Sequence, residues 1–246
     1  MRYEKMLPYQ LRNAIKEQVP LAVPIGVLEY HSEHLALGVD AHVVARILER
    51  LETEHPEMVL FPTFYLGTAS YAVAGPGNNG TVNVDSNAVQ ILAENLFRAL
   101  LAIGFRNIHG FCFHQSENFE QGMPTDLAFR AAARRVIFEF LEQQQGQGWW
   151  GNEAMSNYYD GNNPFDWIMI HGMADAEIQR RYPEDHAGRM ETSLMLALAP
   201  EEVDLTHFSA APWYSRNATT ATRQYGEEIV QAYLQRMSSI LFPAGT

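Results

Sequence analysis

The segment PLAVPIGVLEYHSEHLALGVD (residues 20–40) contains the first predicted strand and the start of a predicted helix. Residues 20–28 form an apolar run that is too short for a helix and is bounded by turn residues, as is typical of a buried strand. From Asp40 onward the apolar residues of AHVVARILERLE recur at helical spacing, with Asp40 placed as the N-cap. A buried strand followed by an amphipathic helix predicts an α/β fold.

The same unit recurs along the chain. Residues 58–66 are strand-like, and the next helix ends at the predicted C-cap Gly104. The apolar face predicted for that helix consists of Val89, Leu92, Leu96 and Leu100. Further strands are predicted over residues 107–113 and 164–172, and further helices over residues 124–144, 191–199 and 222–241. This alternation predicts a mostly parallel sheet covered by helices on both faces, in a single domain over residues 1–246.

Composition narrows the class of protein. A chain of 246 residues with 47% hydrophobic and 19% charged residues can bury a full core without disulfide or metal staples. The net charge of −12 argues against nucleic acids and anionic membranes as partners and favours a small neutral or cationic molecule. The single cysteine, Cys112, lies in an apolar run, which predicts a buried thiol and fits the reducing cytoplasm. We see neither a signal peptide nor a membrane span, so the expected location is cytoplasmic.

Three long segments interrupt the alternation of strands and helices. Residues 67–81, 143–164 and 207–220 are rich in glycine, asparagine and aromatic residues. Loops of this length inside a compact α/β domain are usually functional, so they are interpreted as walls or lids of a pocket. The alternative, surface excursions that pack on the sheet or on a neighbouring subunit, remains equally open.

Ionisable residues follow two of the predicted strands, where ligands bind in α/β sheets. Glu29 and His31 follow the first strand and are one residue apart, so in an extended chain they point to the same side. Asp40 returns at the start of the next helix, and His114 begins the motif HQSEN (114–118) after the third strand. One histidine, two carboxylates and a distant second histidine form a mixed nitrogen and oxygen set that suits zinc, manganese or iron(II).

A third polar group lies in PEDHAGRMETS (183–193), where His186 precedes an Ala-Gly turn and Glu191 opens a helix. A carboxylate at that position is favoured by the helix dipole as well as by a metal. Taken alone, Glu191 is therefore an ordinary N-terminal helix charge, and the pair Glu29 and His31 alone is a common chance spacing.

Together, these blocks resemble the creatininase (creatinine amidohydrolase) family in order and content. The family pattern P-x-G-x-x-E-x-H-G-x-H-L-P-L-x-x-D is similar to PIGVLEYHSEHLALGVD (24–40). Its later G-T turn resembles GNNGT (77–81), and its G-F-R followed by a strand and a histidine motif resembles GFRNIHGFCFHQSEN (104–118). Its H-A-G-x-x-E-T-S resembles HAGRMETS (186–193). The similarity extends from about residue 20 to about residue 235.

The resemblance implies a three-layer α/β/α sandwich with two divalent metal ions, zinc, manganese or iron, often assembled as a hexamer. It places Glu29, His31, Asp40 and His114 on the metal ligands, with Asp40 as the bridge, and His186 on the residue that transfers protons. The other implied positions are Glu191 as a metal ligand, Glu117 as a catalytic residue, and His34, Gly80 and Thr81 as substrate contacts.

The third block departs from the family. Creatininase itself reads H-Y-E-N where this chain reads HQSEN, one residue longer, which leaves Glu117 open as a metal ligand, a base or a hydrogen-bonding partner. Either Glu117 or Glu191 completes the shell of the second metal.

Three functions are compatible with these residues. The expected one is a metal-dependent amidohydrolase that opens a cyclic amide or a similar C–N bond of a small polar molecule with metal-activated water. The second is a metal-dependent isomerase or ring-opening enzyme acting on a keto sugar or cyclitol. The third is a non-catalytic α/β protein that keeps the pocket for ligand binding, for which little bound metal is expected.

Overall fold

A four-stranded, fully parallel sheet forms the centre of the computed structural model, which describes residues 1–114, 121–161 and 163–243. The strand order is β2-β1-β3-β4. β1 pairs with β3 from Leu21 opposite Ile108 to Ile25 opposite Cys112, so the two strands end side by side. The strands are β1 (Leu21–Ile25), β2 (Val59–Leu60), β3 (Ile108–Cys112) and β4 (Ile168–Gly172).

Helices cover both faces of this sheet. One apolar cluster joins a face of the sheet to α2, α6 and α7, and a second joins the opposite face to α1, α3 and α4. β1 and β3 are buried throughout because they lie between these two layers, which explains their continuous apolar sequences. The helices are α1 (Pro8–Lys16), α2 (Val39–Glu54), α3 (Ser86–Ile103), α4 (Pro124–Gln145), α5 (Ala176–Arg181), α6 (Arg189–Leu198) and α7 (Arg223–Leu241). The predicted parallel α/β/α architecture is confirmed.

Two predicted strands are shorter than expected, in both cases because of a proline. β2 stops at Leu60, although Phe61 and Phe64 still donate backbone hydrogen bonds to β1. Pro62 lies between them and has no N–H to continue the ladder. Residues 164–167 form a short 3₁₀ turn that starts at Pro164, so β4 begins only at Ile168.

Two helix predictions are wrong in detail. α2 begins at Val39 after Gly38, so Asp40 lies within the first turn and its buried carboxylate caps nothing. In α3, Leu92 is 47% exposed and Leu96 is only partly buried. The buried face of α3 consists instead of Val89, Ala93, Phe97 and Leu100, together with Glu94 and Leu101.

Other local predictions are confirmed. Gly104 ends α3 with a φ of 122°, a conformation that glycine adopts easily, and its N–H bonds to the carbonyls of Leu100 and Leu101. The thiol of Cys112 is buried and donates to the carbonyl of His114. α1 and α5 were not predicted. Within the described residues, no helix is long and apolar enough to cross a membrane.

A pair of histidines links β3 to β4 inside the fold. His109 Nε2 donates to the side-chain oxygen of Asn107 at 2.7 Å, so its Nδ1 is free to accept from His171 Nε2 at 3.0 Å. In this arrangement His109 must be neutral, because its Nδ1 accepts. Burial lowers the pKa of His109 to about 4, and burial together with the neighbouring His109 lowers the pKa of His171 to about 3.

The histidine pair predicts acid sensitivity. In the unfolded chain both imidazoles bind a proton below about pH 6.5, whereas the folded protein resists protonation until about pH 4, so stability falls as the pH drops through this range. His171→Gln should reduce the loss of unfolding free energy between pH 7 and pH 5 by about 1–2 kcal/mol. Urea titrations at both pH values measure this. The exposed control His207→Gln should leave the loss unchanged, and an equal effect of the two substitutions would contradict the assignment.

Helices α6 and α7 approach each other closely at Gly226. A Cβ at this position would overlap the carbonyl oxygen of Ser193 and lie 3.0 Å from the Cβ of Ala197. The absence of a side chain therefore sets the distance between α7 and the helix that carries Glu191.

We expect Gly226→Ala to lower the free energy of unfolding by about 1–3 kcal/mol through overpacking. Alanine gains up to about 1 kcal/mol in helix propensity, so a net loss must come from the contact between the helices. Denaturant unfolding of Gly226→Ala and of the control Gly151→Ala, where a Cβ meets open space, gives the comparison. A stable Gly226→Ala protein would show that the helices can separate at no cost.

Candidate metal centre

Five ionisable side chains meet at the carboxyl edge of the sheet. Glu29 and His31 follow β1, Asp40 lies in the first turn of α2, His114 follows β3, and Glu191 lies in the first turn of α6. Their exposed fractions lie between 1% and 9%. Because β1 and β3 are neighbours in register, residues more than eighty positions apart in sequence reach one place.

The carboxylate of Asp40 lies between two groups of possible ligands. Its Oδ2 is 3.2 Å from His114 Nδ1, which in turn is 3.5 Å from Glu29 Oε2. Its Oδ1 is 3.6 Å from His31 Nε2, which is 3.6 Å from Glu191 Oε2. In each group the three ligand atoms lie within 4.8 Å of one another, so each could hold one cation with Asp40 shared between them.

Backbone contacts orient two of these side chains. His31 Nδ1 donates to the carbonyl of Glu29 at 2.9 Å, so its Nε2 faces Asp40 and Glu191. This buried Nε2 has no hydrogen-bond partner among the described residues, as is expected of an atom that binds a metal. One oxygen of Glu191 accepts the N–H of Ala187 at 2.6 Å.

The five buried side chains are three carboxylates and two imidazoles, so acidic groups outnumber basic ones. Burial raises the pKa of Glu29 to about 7 and raises the pKa of Glu191 well above its ordinary range. Burial alone would lower the pKa of His31, but the charges of Glu191 and Asp40 outweigh it and raise the pKa to about 10. Burial alone would also raise the pKa of Asp40, but His31 and His114 hold it below its usual range. Bound cations would relieve this excess of negative charge.

His186 lies beside the cluster. Its Nε2 donates to the carbonyl of Tyr30 at 2.9 Å, and its ring centroid is 4.3 Å from that of His31. A nitrogen of His186 also lies within 4.8 Å of possible ligand atoms of Glu29 and His31. Burial and the neighbouring His31 lower the pKa of His186 to about 4, so the ring is neutral at pH 7.

The comparison with known proteins adds to this geometry. The family model for creatininase, described as creatinine amidohydrolase, matches residues 4–241. The chain belongs to the creatininase family. Membership confirms the enzyme class predicted from the sequence, a hydrolase of C–N bonds other than peptide bonds.

Individual relatives agree over almost the whole chain. A creatinine amidohydrolase of Pseudomonas putida is 26% identical over 263 residues, which cover 95% of this chain and 92% of that protein. A crystal structure of creatinine amidohydrolase (creatininase) has a TM-score of 0.73 at 21% identity, covering 99% of this chain and 98% of that one. A structure described as creatininase Mn has a TM-score of 0.72 at 21% identity and covers 98% of both chains. These structures establish that the chain has the creatininase fold.

The resemblance to the creatininase family also singled out residues outside the five-residue cluster. His34 Nε2 lies 3.0 Å from the hydroxyl of Thr192, and its Nδ1 has no partner among the described residues. The hydroxyl of Thr81 accepts the N–H of Tyr30 at 2.9 Å and so ties the segment that carries Glu29 and His31 to loop 67–81. At Gly80 a Cβ would overlap the side chain of Leu37. Glu117 lies outside the described residues.

Sequence reasoning missed two residues around this creatininase-like site. The carboxylate of Asp185 accepts the N–H groups of Gly188, Met190 and Glu191 and thereby holds the start of α6. An Asp shortly before a helix is a known capping signal that could have revealed it. Tyr214 contacts the ring of His186 from loop 207–220. No short motif marks that contact, because it joins two distant segments.

Proposed function

We propose that this protein is a metal-dependent amidohydrolase that opens a cyclic amide, or a similar C–N bond, of a small polar molecule at a two-metal centre. The observation that carries the proposal is Asp40, whose two oxygens face two separate groups of buried ligands. Glu29 and His114 would hold one cation, and His31 and Glu191 the other. Asp40 would bridge them.

The donor set fits two divalent metal ions. Each group combines one imidazole nitrogen with carboxylate oxygens, which suits zinc, manganese or iron(II), and the manganese form of a family member supports the same chemistry. When bound, such ions activate a water molecule and polarise the substrate carbonyl. The buried Nε2 of His31, which has no hydrogen-bond partner among the described residues, is an atom that such an ion would satisfy.

The protein's own residues would orient the ligands and move a proton. The bond from His31 Nδ1 to the carbonyl of Glu29 fixes the tautomer that presents Nε2 to the metal. His186 donates from Nε2 to Tyr30, so its Nδ1 is the free base. Because His186 is neutral at pH 7, Nδ1 could take a proton from the attacking water and pass it to the leaving nitrogen. Glu117 stays a prediction for the same role.

The proposed substrate class rests on the charge of the site and on the relationship to a known enzyme. The excess of carboxylates and the net charge of −12 favour a neutral or cationic molecule over an anion. The name of the Pseudomonas putida relative makes creatinine the first compound to test. His34, Gly80 and Thr81 are proposed to line or support the substrate site.

We further propose that the protein acts in the cytoplasm as a homo-oligomer, with a hexamer as the assembly that the family resemblance implies. Two large aromatic side chains support association, because Tyr159 is 87% exposed and Trp213 is 77% exposed in the single chain. Light scattering of the purified protein would give the assembly state.

The metal assignment predicts a specific pattern of loss. Wild-type protein loaded with Mn²⁺ or Zn²⁺ should hold two ions per chain, and Asp40→Asn should hold none with high affinity because both groups lose their shared ligand. Glu191→Gln and Glu29→Gln should each lose about one ion. Elemental analysis after gel filtration measures the ratio.

Glu94→Gln is the matched control for the metal experiment. Glu94 is a buried carboxylate on α3, which covers the face of the sheet opposite to α2 and α6, and it is bonded to Arg98 and Arg135. It should keep both ions. Full metal content in Asp40→Asn would show that Asp40 is not the bridge.

A substrate panel tests the reaction. The metal-loaded enzyme should convert creatinine or another lactam with the appearance of a new carboxylate, and Asp40→Ala should be inactive. Proton and carbon NMR of the products distinguishes ring hydrolysis from isomerisation of keto sugars or cyclitols run in parallel. Turnover of the sugars alone would replace the amidohydrolase with the isomerase, and little bound metal together with no turnover would favour the non-catalytic binding protein.

A further inference from the structure

The imidazole of His186 contacts two other rings at the edge of the metal-ligand cluster. The ring centroid of His31 lies 4.3 Å away, and Tyr214 from loop 207–220 meets the imidazole edge-on at 5.1 Å and 79°. We propose that Tyr214 is a positioning residue whose ring holds His186 against the cluster in the orientation that proton transfer requires. This inference rests on the proposed function, in which His186 carries the proton.

Tyr214 is suited to this role because its loop is held both by hydrogen bonds inside the loop and by a hydrogen bond to α6. The hydroxyl of the next residue, Ser215, is buried and lies within hydrogen-bond distance of the carbonyls of Ser209 and Pro212, at 3.0 and 3.2 Å. Asn217 accepts the N–H of Arg189 at 3.0 Å, which joins the loop to the start of α6. A ring carried by such a loop can act as a rigid support.

The ring of Tyr214, more than its hydroxyl, makes the contact. The hydroxyl is 3.5 Å from the carbonyl of Val73 in loop 67–81, a long distance for a hydrogen bond. The ring itself is partly buried against the apolar core that joins the sheet to α2, α6 and α7. Phenylalanine should therefore replace Tyr214 with little change in the position of His186.

Without the ring, the side chain of His186 gains freedom while its backbone does not. The backbone beside it stays fixed, since the N–H of Ala187 bonds to Glu191 and Asp185 holds the residues that follow. The imidazole would keep one hydrogen bond, to Tyr30, and one neighbouring ring, His31. Removal of Tyr214 should therefore misalign the imidazole while the proposed metal ligands remain in place.

A double-mutant cycle tests the coupling. In the metal-loaded enzyme, Tyr214→Leu should lower kcat on the order of 100-fold with a much smaller change in KM, since small displacements of a reacting group have effects of this size. Tyr214→Phe should retain most of kcat, and metal content should be unchanged in both. In a His186→Ala background, Tyr214→Leu should cost nothing further, because the residue acts through His186. Independent, multiplicative losses would overturn the proposal.

A second measurement needs neither substrate nor metal. Diethyl pyrocarbonate modifies accessible neutral imidazoles, and mass spectrometry of peptides gives the rate at His186 alone. The rate should rise several-fold in Tyr214→Leu and stay at the wild-type value in Tyr214→Phe. An unchanged rate in Tyr214→Leu, or an equal rise in Tyr214→Phe, would overturn the role of the ring. If wild-type protein converts no compound in the panel, the proposed function fails, and the labelling rates still decide the role of Tyr214.

Discussion

Mutual repulsion among three buried carboxylates is the constraint on which the rest of the structure depends. Among the residues that the structure describes, Glu29, Asp40 and Glu191 lie in one buried cluster with the imidazoles of His31 and His114, and His186 lies beside it. Buried charges of one sign are costly unless protons or cations neutralise them. The chain nonetheless brings them together from three different elements, which makes sense when cations are part of the working protein.

The parallel sheet is what allows such a cluster to form. β1 and β3 lie side by side and end level, so the segments that leave them occupy the same edge. α2 and α6 begin at that edge as well, and each brings a carboxylate in its first turn. The positive end of each helix dipole favours a carboxylate there and partly offsets the cost of burial. Fold and charge distribution therefore support each other.

The sequence predicted the parts of the protein that depend on local patterns. The apolar runs of β1 and β3 and the order of polar residues after them predict that Glu29, His31, Asp40 and His114 lie at one edge of the sheet. Two predicted element boundaries were wrong because a single backbone feature decides each of them. Pro62 shortens β2, and Gly38 occupies the position before α2 that was predicted for Asp40. Contacts between distant loops, such as Tyr214 with His186, leave no periodic signal, so sequence reasoning could not find them. The roles of the individual site residues are still predictions.

The close approach at Gly226 links the stability of the molecule to its chemistry. Ser193, whose carbonyl occupies the space beside Gly226, is two residues beyond Glu191 on the same short helix. A larger residue on α7 would push α6 outward and carry the carboxylate of Glu191 away from His31. The size of the residue at this crossing and the position of the acidic side chain on α6 are therefore linked in this protein. The absence of one methyl group on α7 thus fixes where a buried carboxylate of another helix lies.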